Sequence, residues 1–507
     1  MLRIEEMERA MASSFWRVAL GVLSLGLMVS GCTTNPATGK ANFTPFMTPD
    51  QELQIGAQEH PKLLQQFGGA YPDAKVSGYV AEVGARLAAE SELPDLQFTF
   101  TTLNSKVINA FALPGGYVYM SRGLLAYMND EAELASVLGH EIGHVTARHS
   151  ARRYNKSIFS QVLGVGVGIA TGSSELANLV NQSSQLYLLS YSRGQELEAD
   201  ELGVRYMSRV GYDPFGAPRM LETLGEASAL DAQVMGRSNA TQPPAWARTH
   251  PLTSERVRVA LAEARQVSAN TPEKLRRKNE LLNAIDGMRI DDDPAQGIVD
   301  GQTFRHGQLG FAFSVPSGFA IENGSTAVRA SGPGSSLILF TGGRAASNNM
   351  AQQAQIIWQS LTDGQAPALA NMQNITVNGM QAATGNARIV SNGNTLDFRV
   401  VAINYGGGAV YSFIFIAPPN SMSQLNEPFR RTTYSFKRLS AAERAAVKGR
   451  VIKVITVQRG DTVQSLARLM AYDDYQVERF LVLNGLDDTP NPQLKAGERL
   501  KLVVYKN

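Results

Sequence analysis

Asp130-Glu131-Ala132-Glu133-Leu134-Ala135-Ser136-Val137-Leu138-Gly139-His140-Glu141-Ile142-Gly143-His144-Val145 is the stretch on which the reading of this chain turns. Asp130 is placed to cap a helix, with Glu133 three residues on completing a capping box. Leu134, Val137, Leu138 and Val145 mark the apolar side. On such a helix His140 and His144 lie one above the other and can grip one ion. Glu141, offset by one position, reaches a water rather than the metal. With six histidines in 507 residues, only about 0.004 pentapeptides of this pattern are expected by accident.

A catalytic zinc needs a third protein ligand and an open fourth position. Downstream, Ser192-Arg193-Gly194-Gln195 leads into Glu196-Leu197-Glu198-Ala199-Asp200, a helix-compatible run in which Glu196 and Asp200 share a face. Alone, such an acidic cluster is a solvated helix surface. Paired with the two histidines, it assigns Glu196 as third ligand and Asp200 as the carboxylate that orients a ligating histidine. His149, five residues after His144, is expected to point off the ligand face as a surface or packing histidine. His60 and His306 have no companions and read as structural.

The rest of the chain bounds these residues. Its 507 residues suggest roughly three domains at ~150 residues each. Lys+Arg total 47 against 45 Asp+Glu, a net +2, so charge demands no nucleic-acid partner. With 44% hydrophobic and 18% charged residues the chain is globular, and a single cysteine excludes an internal disulfide framework. That cysteine follows an apolar run, Val18 to Val29, too short to span a bilayer. Val29-Ser30-Gly31-Cys32 resembles a bacterial lipobox, which implies a signal peptide over 1–31 and lipidation at Cys32. Thr33 then favours the outer membrane. Glu5, Glu6 and Glu8 are unlike a positive leader, so translation from Met11 fits better.

Residues 32–49, rich in Thr, Pro and Asn, read as a tether. Helical periodicity dominates 50–287, broken by strand-like passages at Leu96–Leu103 and Val107–Met120. Asp291-Asp292-Asp293-Pro294 marks a linker over 288–302. No lysine occurs between Lys278 and Lys437, and alternating apolar runs such as Phe311–Val315 and Tyr411–Phe415 appear there instead. With helix-like stretches at Met350–Leu361 and Met422–Arg431, 303–439 is a separate α+β module of unreadable role. Residues 440–450 form a connector and 451–507 a last small unit. The whole is therefore a multidomain α+β chain.

Asn109-Ala110-Phe111-Ala112-Leu113-Pro114-Gly115-Gly116-Tyr117-Val118-Tyr119, the His140 motif, Ser192-Arg193 and Glu196 to Asp200 occur in that order. This resembles the CAAX prenyl protease and HtpX family of zinc endopeptidases, particularly its soluble periplasmic members, over roughly Met47 to Ala264. The resemblance implies a mainly helical zincin-type domain with a short sheet. It also implies one zinc ion on His140, His144 and Glu196, Glu141 as general base, and Asp200 as support. Asn109, Ala110, Phe111 and Ala112 resemble the family's edge strand, where a substrate backbone could pair by strand addition. Arg248-Thr249-His250-Pro251 through Arg256 matches the same members: His250 is either a fourth, inhibitory ligand or an oxyanion donor. Arg256 pins this segment or contacts the transition state. The glycine-rich Ile158–Ala170 reads as a buried helix or a mobile lid.

Val457-Gln458-Arg459-Gly460-Asp461-Thr462-Val463, Asn484-Gly485-Leu486 and Leu494 to Leu500 resemble a LysM domain, a strand–helix–helix–strand unit. That resemblance implies binding to the N-acetylglucosamine-containing glycan of peptidoglycan. Seven positive and seven negative residues between Lys453 and Lys501 exclude charge as the binding force. Together these expectations describe a lipid-anchored zinc endopeptidase on the periplasmic side of the outer membrane, acting on misfolded or stalled envelope proteins. A peptidoglycan peptidase and a non-catalytic chaperone or scaffold are the alternatives. One soluble member of the family has a helical repeat domain after its catalytic part, and no 30–50-residue repeat is found in this sequence, so partners bound through such a domain are not expected.

Overall fold

The computed structural model describes residues 32–39, 41–43, 47–153, 190–234, 245–271, 273–324, 327–362, 364, 366–391, 394–486 and 492–506. Residues 1–31, expected as a leader, and the glycine-rich Ile158–Ala170 lie outside the described residues. Among the described residues no helix is long and apolar enough to cross a membrane.

The described residues of the segment 32–49, expected as a tether, are instead folded onto the body. Strands β1 (Cys32–Thr34) and β2 (Ala41–Phe43) pair as an antiparallel hairpin with Cys32 opposite Phe43. Asn35 turns the chain by accepting from the Ala37 amide (2.9 Å), and its own side-chain amide donates to Glu198 Oε1 (3.3 Å). Ala37 joins the main core and Met47 is fully buried. These few apolar and amide contacts give a nominally polar segment something to hold.

Helix α1 (Pro49–Gln66) starts at a reciprocal Thr48–Gln51 capping box, and α2 (Ala74–Ala89) at Asp73. Three strands follow, β3 (Thr99–Leu103), β4 (Ala110–Leu113) and β5 (Tyr117–Ser121), in the spatial order β3-β5-β4. β3 runs parallel and β4 antiparallel to the centre. Then come α3 (Arg122–Tyr127), α4 (Glu131–Thr146), α5 (Arg193–Val210), α6 (Gly216–Val234), α7 (Ala245–Thr249), α8 (Ser254–Ser268) and α9 (Lys278–Ile285). Asp130 caps α4 by accepting from Glu133 N (3.0 Å). Glu133 reaches back one residue further than a capping box requires, to Asn129 N (2.7 Å).

Helices α4 and α5 cross with almost no space between backbones. A Cβ on Gly203 would lie 2.8 Å from the His140 amide nitrogen, and one on Gly139 3.0 Å from the Gly203 carbonyl. One on Gly143 would meet Leu202 Cβ at 3.1 Å. Glycine inside a helix costs about 1 kcal/mol relative to alanine; here three of them let His140 and Glu196 face each other.

The middle module contains β6 (Ile298–Asp300), β7 (Thr303–His306), β8 (Phe311–Ser314), β9 (Ala320–Asn323), β10 (Val328–Ser331), β11 (Leu337–Arg344), α10 (Met350–Leu361), β12 (Ala370–Val377), β13 (Met380–Ser391), β14 (Asn394–Gly406), β15 (Ala409–Ala417), α11 (Pro419–Ser435) and β16 (Lys437–Arg438). Seven strands make one antiparallel sheet in the order β12-β13-β14-β15-β11-β10-β9, and β16-β8-β7-β6 make a second. Helix α10 packs Trp358 on one face of the large sheet. On the other face Phe311, Phe313, Phe413 and Phe436 form an aromatic core with α11. The alternation in the sequence is therefore core patterning.

After α12 (Ala441–Ala445), the chain ends as β17 (Arg450–Thr456), α13 (Val463–Ala467), α14 (Gln476–Asn484) and β18 (Arg499–Tyr505), with β17 antiparallel to β18. This is the expected element order, but the unit does not stand apart. Ile452, Phe480 and Leu502 share one continuous core with Val83, Leu125 and Leu282. The start of the stretch expected as a linker bridges to β17: Ile452 N donates to Met288 O (2.8 Å) and Ile290 N to Arg450 O (3.2 Å). Asp292 and Asp293 are pinned by Lys106 (2.8 Å) and Asn104 (3.0 Å). Lys501, fully buried, donates to the Ala126 and Met128 carbonyls, both at 2.7 Å.

Burial pushes the Lys501 ammonium down to about 7, against the pull of Glu133. Its folded value lies below the unfolded one near 10.5, so between those pH values the unfolded chain holds the extra proton and unfolding free energy rises with pH. Lys501→Met is expected to flatten that rise between about pH 7.5 and 9.5. It should also cost about 1–3 kcal/mol by stranding two carbonyls. Urea unfolding at both pH values checks it; equal slopes in the two proteins would contradict the assignment.

Candidate metal centre

Three short structural devices bring the site together. The Asp130 cap starts α4, which carries His140, Glu141 and His144 on its buried flank. A Ser192–Gln195 capping box starts α5, so Glu196 follows in the first turn and Asp200 one turn later. Helix α7 ends at Thr249, and the chain then turns through His250 and Pro251 to the Thr253 cap of α8, which carries Arg256.

His140, His144, Glu196 and His250 each offer one ligand atom, all within 4.8 Å of one another and all buried. His140 Nε2 lies 3.0 Å from His144 Nε2 and 3.3 Å from His250 Nδ1. Glu196 Oε1 lies 3.1 Å from His250 Nδ1 and 3.6 Å from His144 Nε2, and Glu196 Oε2 lies 3.6 Å from His140 Nε2. Tetrahedral donors at roughly 2.0–2.1 Å from a zinc ion would stand about 3.3 Å apart, and these separations of 3.0–3.6 Å lie on either side of that value. The donor set is one a zinc ion takes. Burial holds His144 well below its ordinary pKa, followed in weight by the neighbouring His140, and a neutral imidazole is the ligating form.

The supporting charges are arranged around that tetrahedron. Asp200 Oδ1 lies 2.8 Å from His140 Nδ1, turning the opposite nitrogen towards the other donors. Arg256 clasps Asp200 with two 2.7 Å hydrogen bonds and reaches Glu196 Oε2 at 2.8 Å. Burial alone would raise the Asp200 carboxyl, but the Arg256 guanidinium holds it well below the usual carboxylate range. Arg256 also donates to the Pro251 carbonyl (3.4 Å), the residue after His250. It therefore contacts the pinned segment and both carboxylates. Glu141 is different: burial raises its pKa, and its Oε2 has no hydrogen-bond partner among the described residues. His250 Nε2, 3.6 Å from Glu141 Oε1, is likewise unpartnered there.

Strand β4 is an edge of the three-stranded sheet. Ala110 and Ala112 face the core that holds α4, while Phe111 turns away to stack on Tyr119 (4.8 Å). Asn109 Oδ1 accepts from Thr249 Oγ1 at 3.4 Å, so the strand and the His250 segment touch. A cavity of about 70 Å³ opens beside Glu141 and His250, walled by Val137, Val204, Met220, Leu224 and Trp246. Cys32 stands at the start of β1, in the hairpin that touches α5.

Of the two readings of His149, a surface or a packing histidine off the ligand face, the structure shows the packed one, outside the set of four donors. It is fully buried, with Nδ1 2.7 Å from His144 Nδ1 and Nε2 2.9 Å from Glu198 Oε2. Helical spacing fails there because α4 ends at Thr146 and Arg148 adopts φ +55°, folding the chain back. Tyr191, whose ring stacks on His144 at 3.9 Å, was missed; its place immediately before the Ser192 cap was the available signal. His60 is structural, its Nδ1 2.6 Å from the Tyr119 hydroxyl, and His306 accepts from Leu309 N (3.2 Å).

Residues 74–264 match the model of peptidase family M48. The beta-barrel assembly-enhancing protease of Yersinia pestis is 32% identical over 227 residues, 43% of this chain and 45% of that protein. Mitochondrial metalloendopeptidase OMA1 of Arabidopsis thaliana is 35% identical over 184 residues, 36% of each chain. The protein of that name from Schizosaccharomyces pombe is 34% identical over 227 residues, 44% of this chain and 64% of its own. The chain spans about half the length of the curated relatives it matches.

Gly203→Val tests the helix crossing. The added side chain meets the His140 backbone, so the donors must separate, and zinc affinity should fall at least tenfold in chelator competition. Gly194→Ala, where nothing lies within 4 Å of the new atom, should leave affinity unchanged.

Proposed function

We propose that this chain, whose residues 74–264 carry the peptidase family M48 domain, is a zinc-dependent endopeptidase of the bacterial cell envelope. Its substrates are misfolded or stalled envelope and outer-membrane proteins. The observation that carries the reading is the closed set of four donor atoms on His140, His144, Glu196 and His250, with Glu141 beside it, whose Oε2 has no hydrogen-bond partner among the described residues. The similarity to a beta-barrel assembly-enhancing protease and to mitochondrial metalloendopeptidases supports the substrate class and reaction.

His140, His144 and Glu196 hold the ion, which when bound supplies Lewis acidity that polarises a carbonyl and acidifies water towards pKa ~7. Glu141 takes a proton from the attacking water on its free Oε2 and returns it to the leaving amine. The raised pKa that burial gives it suits both steps. Arg256 offsets the charges of Asp200 and Glu196, so two carboxylates stand within the centre without driving it apart. The β4 edge offers backbone groups to an extended substrate, and the apolar cavity receives a hydrophobic side chain, which unfolded proteins expose.

A catalytic zinc keeps an open position, whereas four protein donors close it. With His250 Nδ1 in the set, the arrangement described is a latent one, and the 245–250 segment has to withdraw before substrate enters. This favours His250 as an inhibitory fourth ligand over an oxyanion donor. Lipid on Cys32 and glycan on the C-terminal unit tether the enzyme on the periplasmic side of the outer membrane. The loops carrying Gly460 and Gly497 are exposed and uncrowded, as a shallow glycan groove requires.

Purified full-length protein should contain one zinc per chain, and Glu141→Gln should keep the metal while cleavage of an unfolded casein falls roughly 10²–10⁴-fold. An active Glu141→Gln, or a metal-free chain, overturns the reading. Undiminished rescue of a deletion phenotype by Glu141→Gln would favour a scaffold. His250→Ala should raise basal cleavage and keep zinc; a fall in cleavage would make His250 a transition-state donor instead.

A further inference from the structure

The geometry points to a second support for the metal: His149 and Glu198 act as positioning residues that fix the tautomer and orientation of His144. The inference rests on the zinc reading above. His144 Nε2 faces His140 Nε2 (3.0 Å) and Glu196 Oε1 (3.6 Å), so this is the nitrogen that must be bare to bind an ion. A neutral imidazole then carries its hydrogen on Nδ1. His144 Nδ1 lies 2.7 Å from His149 Nδ1, so that hydrogen is donated to His149. His149 accepts there only as the tautomer protonated on Nε2, and its Nε2 lies 2.9 Å from Glu198 Oε2. A carboxylate accepts and does not donate, so the order of donation is set from the far end. Glu198 receives from His149, His149 receives from His144, and His144 is left with a bare Nε2 towards the metal.

The carboxylate at the end of this line is itself held. Arg152 Nη1 donates to Glu198 Oε2 at 2.9 Å, and Asn35 of the β1–β2 hairpin donates to Oε1 at 3.3 Å. The Tyr191 ring covers the flat face of His144 at 3.9 Å, leaving ring rotation little room. His140 has its own partner in Asp200. Each ligating histidine of α4 is thus oriented by a carboxylate on α5, directly for His140 and through one more imidazole for His144.

Replacing His149 by Phe keeps a ring in the space and removes the acceptor. Zinc affinity of the full-length protein, measured by chelator competition, should fall ten- to a hundredfold, and the visible bands of the cobalt(II)-substituted protein should shift. His149→Asn, whose side-chain oxygen can take the Nδ1 place, should restore affinity and bands towards wild type. Glu198→Gln, at a half-buried position, should give a smaller loss and guards against a folding failure of His149→Phe. If His149→Phe and Glu198→Gln bind zinc as wild type does, with unchanged cobalt bands, the relay is overturned while the zinc enzyme stands. A wild-type chain that takes up no zinc overturns both.

Discussion

Gly139 and Gly143 on one helix and Gly203 on the next set the distance on which everything in the catalytic part depends. Two α-helices with ordinary side chains between them pack about 8–10 Å apart. At that spacing a glutamate in the first turn of α5 would need a side-chain excursion to reach the histidines of α4. With hydrogen in place of Cβ at the crossing, the Gly203 position comes against the His140 amide. Glu196 and Asp200 then meet the imidazoles with short side chains. The helix propensity lost at three glycines is offset by the buried core around Leu138, Ile142 and Leu202.

Close approach creates an electrostatic difficulty, and Arg256 resolves it. Glu196, Asp200 and Glu141 are all almost fully buried within one small volume. Three desolvated carboxylates would repel and protonate. A single guanidinium spans two of them, bidentate on Asp200 and monodentate on Glu196, which Arg can do and Lys cannot. Glu141 is left outside the clasp. The two environments separate accordingly: a carboxylate held low by the guanidinium, and one outside the clasp whose pKa burial raises.

Much of this was legible in the sequence because it depended on local periodicity. A four-residue interval on a capped helix fixed the relation of His140 to His144, and the same interval placed Asp200 against Glu196. The strand passages and the helices at Met350–Leu361 and in the middle module followed from period-two and period-3.6 patterns. Residues beyond a helix end were illegible: His149 was placed by extrapolating α4 past Thr146, where the left-handed Arg148 redirects the chain. Docking was illegible too. Nothing in Asn35–Pro49 or Asp291–Pro294 signals that their side chains find partners on distant elements, because those partners are supplied by tertiary structure alone. The fusion of the last unit to the helical core belongs to the same class, since a buried lysine such as Lys501 is indistinguishable in sequence from a solvated one.

That fusion has a mechanical consequence. β17 is clamped between β18 and the 287–290 backbone, and Lys501 is sewn to the end of α3, so the terminal strands and the histidine-bearing helix move as one piece. There is no swivel between them. A force applied at the loops carrying Gly460 and Gly497 is therefore passed through the shared core to the helix that carries His140 and His144.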